Sequence, residues 1–381
     1  MKTQNAFQRL ILPGLIFQSA MIGGGYATGR ELVEFFLILG PVNSVIAMIV
    51  ATLSISLVTS VAFEFARSFS LYDYKTFFKK LLGPGWFVFE IAYIALILLV
   101  LSVLGAAAGE IIKSNFGIAE YWGIFTLMAS VAVFVFLGST IIEKFLTYWS
   151  ILLYLAYALL IIWTVSVFGS DISDNFKSDQ TPIKAFVIFK QGWTYAGYNL
   201  VILTTVLFAV RHMTTRKDAL ISGVLCGPLS MIPGFLLLVA MIPHYPEIVE
   251  EVLPITYLLD RLNSSWFIIF LQIVIFGTFI ETGTAMLHSI NERVAESYLE
   301  HKKTMPQFMR PVISSIVLFV AIVLANKFGV IDLIGSGYSY STYLFLAILV
   351  VPLLTRGIYL ISKNSAQQLD EETRIKDVKH S

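Results

Sequence analysis

Three short segments of this chain hold residue types that can do chemistry, and all three lie inside long apolar runs. The first is Ile22 to Phe35, IGGGYATGRELVEF, in which Gly23, Gly24 and Gly25 are consecutive, Gly29 follows, and Arg30 and Glu31 are adjacent charges. Each helical glycine costs about 1 kcal/mol relative to alanine, and a helix that only spanned a bilayer would not need four; they serve either close helix packing or an interruption of the helix. An interrupted helix offers main-chain carbonyls to a cation and amides to an anion, and irregular backbone is tolerated at membrane depth only where it lines a polar cavity. The second segment, Gln191 to Asn199 (QGWTYAGYN), places Gly197 near the middle of another apolar run, and the pairs Tyr26-Ala27 and Tyr195-Ala196 stand beside glycine in both. The third is Glu281-Thr282-Gly283-Thr284. Its carboxylate and hydroxyls are hard oxygen ligands for a sodium ion; without a metal ion, the desolvated carboxylate can take up and release a proton.

The elements that must position these segments are membrane helices. Of 381 residues 57% are hydrophobic and 13% charged, with mean hydropathy +0.80, against roughly 25% charged in an average soluble domain. Ten apolar runs are long enough to cross a hydrocarbon core of about 30 Å: Leu10 to Gly40, Pro41 to Phe63, Trp86 to Ile111, Tyr121 to Leu137, Leu146 to Phe168, Phe186 to Val210, Ala219 to Ile242, Ser265 to Ile290, Pro311 to Phe328 and Tyr340 to Ile361. An even number puts both termini on one side, and 19 of the 26 Lys and Arg fall on that side, with six opposite and Arg30 within the first span. Lys and Arg are retained in the cytoplasm, so both termini are expected there. The chain reads as one transmembrane unit in two five-span repeats, about 10–168 and 186–361, with a polar tail over 363–381 that is expected to be disordered. An odd number of spans per half inverts the second half, and interrupted spans at matching places in two such halves point to a binding site between them.

Two loops are more than connectors. Leu71 to Leu82 has apolar residues at helical spacing with Lys75, Lys79 and Lys80 between, which suits a helix at the inner surface. His244 to Asn263 alternates acids with apolar residues and has the pattern of a segment folding over the outer mouth; an ordinary connector explains both loops as well. Arg30 reads either as an outer gate or substrate anchor, with Asp332 as a gate partner or a plain loop acid, or as a local pair with Glu34 one turn on or with Glu31 through water. Glu64, Glu90, Glu110 and Glu143 fall near span ends and read as surface acids. The single cysteine, Cys226, excludes an intrachain disulfide. The five histidines form no HExxH pair, no G-x-S-x-G elbow is present, and the glycines of the first span read G-x-G-x-x-T with no strand before them. A membrane-embedded enzyme, a dinucleotide cofactor and a nucleic-acid partner are therefore not expected, whereas a transporter-like sensor stays open.

The GGGYATGRE segment, the ETG segment at Glu281 to Gly283 followed by His288 and Asn291-Glu292-Arg293, and the ten-span length resemble the YkvI-like family of bacterial membrane proteins. That family is itself similar in layout to the LeuT-fold, amino acid-polyamine-organocation transporters. The resemblance implies an all-α integral membrane protein with a five-plus-five inverted repeat and helices 1 and 6 broken at the midplane. It implies a secondary transporter of a small polar or zwitterionic solute in the bacterial cytoplasmic membrane, driven by a sodium or proton gradient. Carried over, it assigns substrate contact to Gly23, Gly24, Gly25 and Tyr26 and to Tyr195, Ala196, Gly197, Tyr198 and Asn199. It assigns ion coupling to Glu281, Thr282 and Thr284, with sodium near Gly23, Thr282 and Thr284. Glu281 departs from a sodium-coupled amino-acid carrier and leaves the coupling ion open.

Overall fold

The computed structural model of the protein describes residues 5–137, 139–179, 181–300, 302–364 and 366–367, and at residues 24–25, 136–148 and 300 its main chain only. The side chain of Glu143 and the tail beyond Gln367 lie outside that description. Among the described residues the chain is helical throughout, with no strand. Eight helices have the length and apolarity to cross a bilayer. With the interrupted first span and the shorter helix α7 they make ten crossings, as the hydropathy predicts.

The first crossing is built from α1 (Leu12–Met21), α2 (Gly24–Ala27) and α3 (Arg30–Phe35). Ile22 leaves the helical region at ψ 70° and Gly23 is extended, so the chain breaks where the glycine run begins. A second break falls at Gly29, whose φ of +77° is a left-handed conformation that costs any L side chain roughly 1–2 kcal/mol. Crossings two to five are α4 (Pro41–Phe69), α6 (Phe87–Phe116), α7 (Glu120–Leu137) and α8 (Ser139–Ser178), with a surface helix α5 (Tyr74–Leu82) between α4 and α6.

The sixth crossing comprises α9 (Ala185–Asn199), a 3-10 turn at Leu200–Ile202, α10 (Leu203–Val206) and a 3-10 segment at Leu207–His212. Its interruption is thus a change of helix type three residues beyond Gly197, milder than the gap in the first span. Gln191 to Asn199 stays α-helical. Then follow α11 (Arg216–Met241), a short helix α12 (Pro254–Arg261) in the outer loop, α13 (Ser265–Glu300) and α14 (Met309–Lys327). The tenth crossing runs from α15 (Val330–Asp332) through α16 (Ser339–Phe345), with wide π turns at Leu333–Tyr338, Leu346–Val350 and Leu353–Gly357.

Helix packing follows small residues, as it must where lipid and core are equally apolar. Gly223 and Gly227 of α11 lie directly on Ser60 and Ser56 of α4 with no room for a Cβ. The hydroxyls of Ser56 and Thr59 donate to the carbonyls of Val224 and Gly223, each at 2.8 Å. Large apolar side chains such as Leu53, Ile91 and Phe319 are more than 60% exposed on the outside of the bundle, which is where lipid would lie.

Arg9 pairs with Asp218 at 3.3 Å, and the side-chain amide of Asn364 donates to Ser68 O, so both ends of the chain and two of the loops share one face, here the terminal face. Glu64, read as a surface acid, is buried there against Arg67 at 2.8 Å. At the opposite face, the outer one if the termini are cytoplasmic, Asp179 accepts from the amide of Val42 at 2.8 Å, beside Gly40 and Pro41 at the start of α4. Burial pushes its carboxyl up, but the bonds from the Thr181 hydroxyl and from the amides of Val42 and Thr181 outweigh that and hold it below the usual carboxylate range.

Candidate functional site

A cavity of about 660 Å³ begins at the break in the first crossing and runs toward the terminal face. Gly23 and Thr282 are at its inner end, and a Cβ on Gly23 would stand 3.6 Å from the Thr282 hydroxyl. Its walls are the half-helix α1, α6, the start of α8, the 3-10 turn of the sixth crossing and α13. Most of the lining is apolar, including Ile16, Tyr93, Ile97, Val201 and Met286, with Ser19, Ser150, Thr205, Glu281, Thr282 and Ser289 as polar groups. Ser19, Thr205 and Ala285 line it and are exposed, so water reaches it. The Glu281 carboxylate accepts from the Ser150 hydroxyl at 2.5 Å and is the cavity's acidic group.

Beyond Gly23 the route to the outer face is closed by two layers. One layer is aromatic: Phe35 and Phe36 of the first crossing pack on Tyr195 and Tyr198 of α9, and Tyr198 stacks on Tyr338 with centroids 4.5 Å apart. The other layer is a polar latch. Arg30 donates to the carbonyls of Val249 and Glu251 at 2.8 and 2.9 Å and pairs with Glu34 at 2.6 Å. The amide of Ile255 donates to Thr28 O at 3.1 Å, and a Cβ on Gly29 would meet the Ile255 side chain at 3.0 Å. The loop His244 to Asn263 therefore lies over the outer end of the first crossing.

Of the sequence readings of Arg30, the local pair with Glu34 forms, and the same guanidinium also bonds the loop through the carbonyls of Val249 and Glu251. Its expected partner Asp332 is exposed and is not among its contacts, because the groups that face Arg30 across the mouth are loop carbonyls. In the sixth crossing, Tyr195, Ala196, Gly197, Tyr198 and Asn199 are buried above the cavity, which is lined instead by Val201, Ile202 and Thr205. Gly197 is filled by the Thr342 side chain, whose hydroxyl donates to Thr194 O at 2.7 Å, so that glycine serves close packing of α9 on α16. The Asn199 amide is satisfied by Tyr195 O one turn back.

In the first crossing Gly23 lines the cavity, the main chain of Gly24 and Gly25 begins α2, and Tyr26 is buried beside Gly234 of α11. In α13, Glu281 and Thr282 face the cavity, while the hydroxyl of Thr284 is buried with no partner among the described residues. Residues two apart on a helix point about 200° apart, so Thr282 and Thr284 do not converge on Gly23 and the expected three-residue sodium set is not assembled. Ser150 and Tyr93 are cavity residues that the sequence did not single out; the one signal they carry is polarity within an apolar helix. Glu31, read from sequence only as a neighbour of Arg30, is buried and accepts from the Tyr198 hydroxyl at 2.7 Å.

No protein-family model matches the chain, and no curated protein does either. Solved transporter structures do. The chain is similar to the Eremococcus coleocola manganese transporter, in complex with an aromatic bis-isothiourea substituted compound, with a TM-score of 0.56, 11% identity, and coverage of 90% of this chain and 77% of that one. It is also similar to MhsT in complex with L-phenylalanine, with a TM-score of 0.55, 13% identity, and coverage of 92% and 97%. At such identities the likeness is one of fold: the protein is an all-α membrane protein of LeuT-like architecture.

Proposed function

We propose that this protein is a secondary transporter of a small polar or zwitterionic solute, an amino acid or a related compound, working by alternating access between two five-span repeats. The observation that carries this reading is a solute-sized cavity that ends at a helix break, opens toward one face and is latched at the other. That is the arrangement an inward-facing carrier needs. The excess of Lys and Arg on the terminal face makes that face cytoplasmic, in a bacterial cytoplasmic membrane. The fold neighbours support the reading, since both are transporters.

Each group in the cavity has a task in this scheme. The negative, C-terminal end of α1 and the Glu281 carboxylate attract an ammonium group, the hydroxyls of Ser19, Thr205 and Thr282 take further polar contacts, and the apolar wall accepts a hydrocarbon side chain. Glu281 meets water only through the cavity. Closing the cavity strips that water away, and a carboxylate left there must pair with a cation or take a proton. The failure of Thr282 and Thr284 to converge favours the proton as the coupling ion.

The test is uptake by proteoliposomes of purified protein under imposed proton and sodium gradients. Glu281→Gln is expected to lose gradient-driven accumulation and to keep solute exchange, because the amide still packs against Ser150 but no longer titrates. Unchanged accumulation under both gradients would remove Glu281 from coupling, and absence of any solute flux in the unmodified protein would favour a transporter-like sensor.

A further inference from the structure

The cavity contains Glu281, but a second carboxylate of the membrane helices, Glu31, is more enclosed than Glu281. It lies in α3 on the outer side of the break, 6% exposed, and does not line that cavity. Its hydrogen-bond partner is the Tyr198 hydroxyl of α9 at 2.7 Å. The hydroxyls of Tyr26, Tyr195 and Tyr338 are within electrostatic reach of it, and those of Tyr26 and Tyr195 are buried with no partner among the described residues. The first, sixth and tenth crossings thus each present a tyrosine to Glu31. The nearest cation, Arg30, is committed to Glu34 and to the carbonyls of Val249 and Glu251, and no cation pairs with Glu31 among the described residues.

A carboxylate buried without a cation and with one hydroxyl donor pays most of its desolvation cost uncompensated, and such a group neutralises instead. Glu31 is buried and does not line the solute-sized cavity. A proton is the ligand it can hold.

We infer that Glu31 is a proton-binding site of the outer gate, protonated when the aromatic layer is closed over it and ionised when the layer opens to water. The inference rests on the transport reading for its physiological sense, though not for its test. Closing the gate takes one proton from the outer water onto a Glu31 oxygen, and opening returns it, so the step balances. The sign follows from linkage: the closed state binds one more proton than the open state, so acid outside favours closure and alkali favours opening. In the closed state the neutral carboxyl bridges α3 to α9 through Tyr198, while Tyr338 stacked on Tyr198 extends the contact to the tenth crossing. An ionised Glu31 would repel neither wall by charge, but it would demand water that the closed layer excludes.

The experiment reads gate opening directly. Ile255 is buried against Gly29 in the closed state. Ile255→Cys on a Cys226→Ser background should react with an impermeant maleimide from outside only when the loop lifts. Rates are normalised to Glu250→Cys, an exposed position of the same loop, which removes the pH dependence of thiol reactivity itself. The normalised rate is expected to rise with outer pH, by up to about tenfold per unit for a one-proton linkage. With Glu31→Gln it should be low and flat with pH. With Glu31→Asp a pH dependence should survive, and with Glu34→Gln the dependence of the parent should survive, since Glu34 pairs with Arg30 in the same helix.

A slope retained in Glu31→Gln, or one lost in Glu34→Gln instead, would overturn the assignment. Should Glu31→Gln not reach the membrane, a flat profile in Glu31→Asp would overturn it equally. Because labelling needs no solute, failure of transport would leave this result standing, and the reverse also holds.

Discussion

Replacing Arg30 by Met keeps an unbranched stem of similar length and removes every donor. Three bonds are lost, but they do not count equally. The pair with Glu34 lies within α3, at i and i+4, and persists whether the outer mouth is open or closed. The two bonds to the carbonyls of Val249 and Glu251, at 2.8 and 2.9 Å, exist only while the loop is down. Hydrogen bonds to a charged group contribute about 1.5–3 kcal/mol each, and the low end applies here because the open state exposes both partners to water. The closed state should therefore lose about 3 kcal/mol relative to the open one, close to a 150-fold shift in the equilibrium at 1.4 kcal/mol per tenfold. The assay is the normalised outside labelling of Ile255→Cys, together with hydrogen exchange of the loop from His244 to Asn263. Labelling is expected to rise about 100-fold unless the open state already dominates, and loop amides should lose protection. A change of less than about threefold, with the loop still protected, would mean that the contacts of Ile255 with Thr28 and Gly29 hold the mouth alone, and the latch would be no latch.

Gly197→Leu should lower folded yield as well as uptake, because any side chain there must displace Thr342; full yield with selective loss of uptake would return that glycine to the solute path. Asp179→Ala should lower the stability of the purified protein by about 1 kcal/mol at neutral pH, the usual worth of a helix N-terminal cap. Since the folded carboxyl titrates below its unfolded value of about 3.9, this contribution is present above that pH and disappears as the pH falls through the lower folded value. The gap between the melting temperatures of parent and variant should therefore close in acid, and a constant gap would assign the loss to packing.

Much of the fold was legible because membrane spans announce themselves by length and composition. A run of about 20 apolar residues can satisfy its own backbone only as a helix, and the three adjacent glycines marked the first break to within two residues, at Ile22 and Gly23. In the sixth span the glycine and the interruption, at Leu200–Ile202, do not coincide. A glycine beside Tyr-Ala looks the same whether it frees the backbone or admits a neighbouring helix, and only the position of Thr342 on α16 decides which. The same limit applies to Thr282 and Thr284, whose hydroxyls are interchangeable on paper and face different directions on α13.

What the sequence determined alone, then, is everything that depends on local free energy: ten crossings, a basic terminal face, a broken first helix, and an acid in the eighth span that had to meet water, a cation or a proton. What only the tertiary structure decided is which groups share a space. Glu31 lies one residue from Arg30 in the chain, yet Arg30 reaches out to the loop while Glu31 turns inward among tyrosines from α9 and the tenth crossing. Glu31 meets Tyr198 across 167 positions of chain, and no pattern along a single helix records which neighbour its face will find.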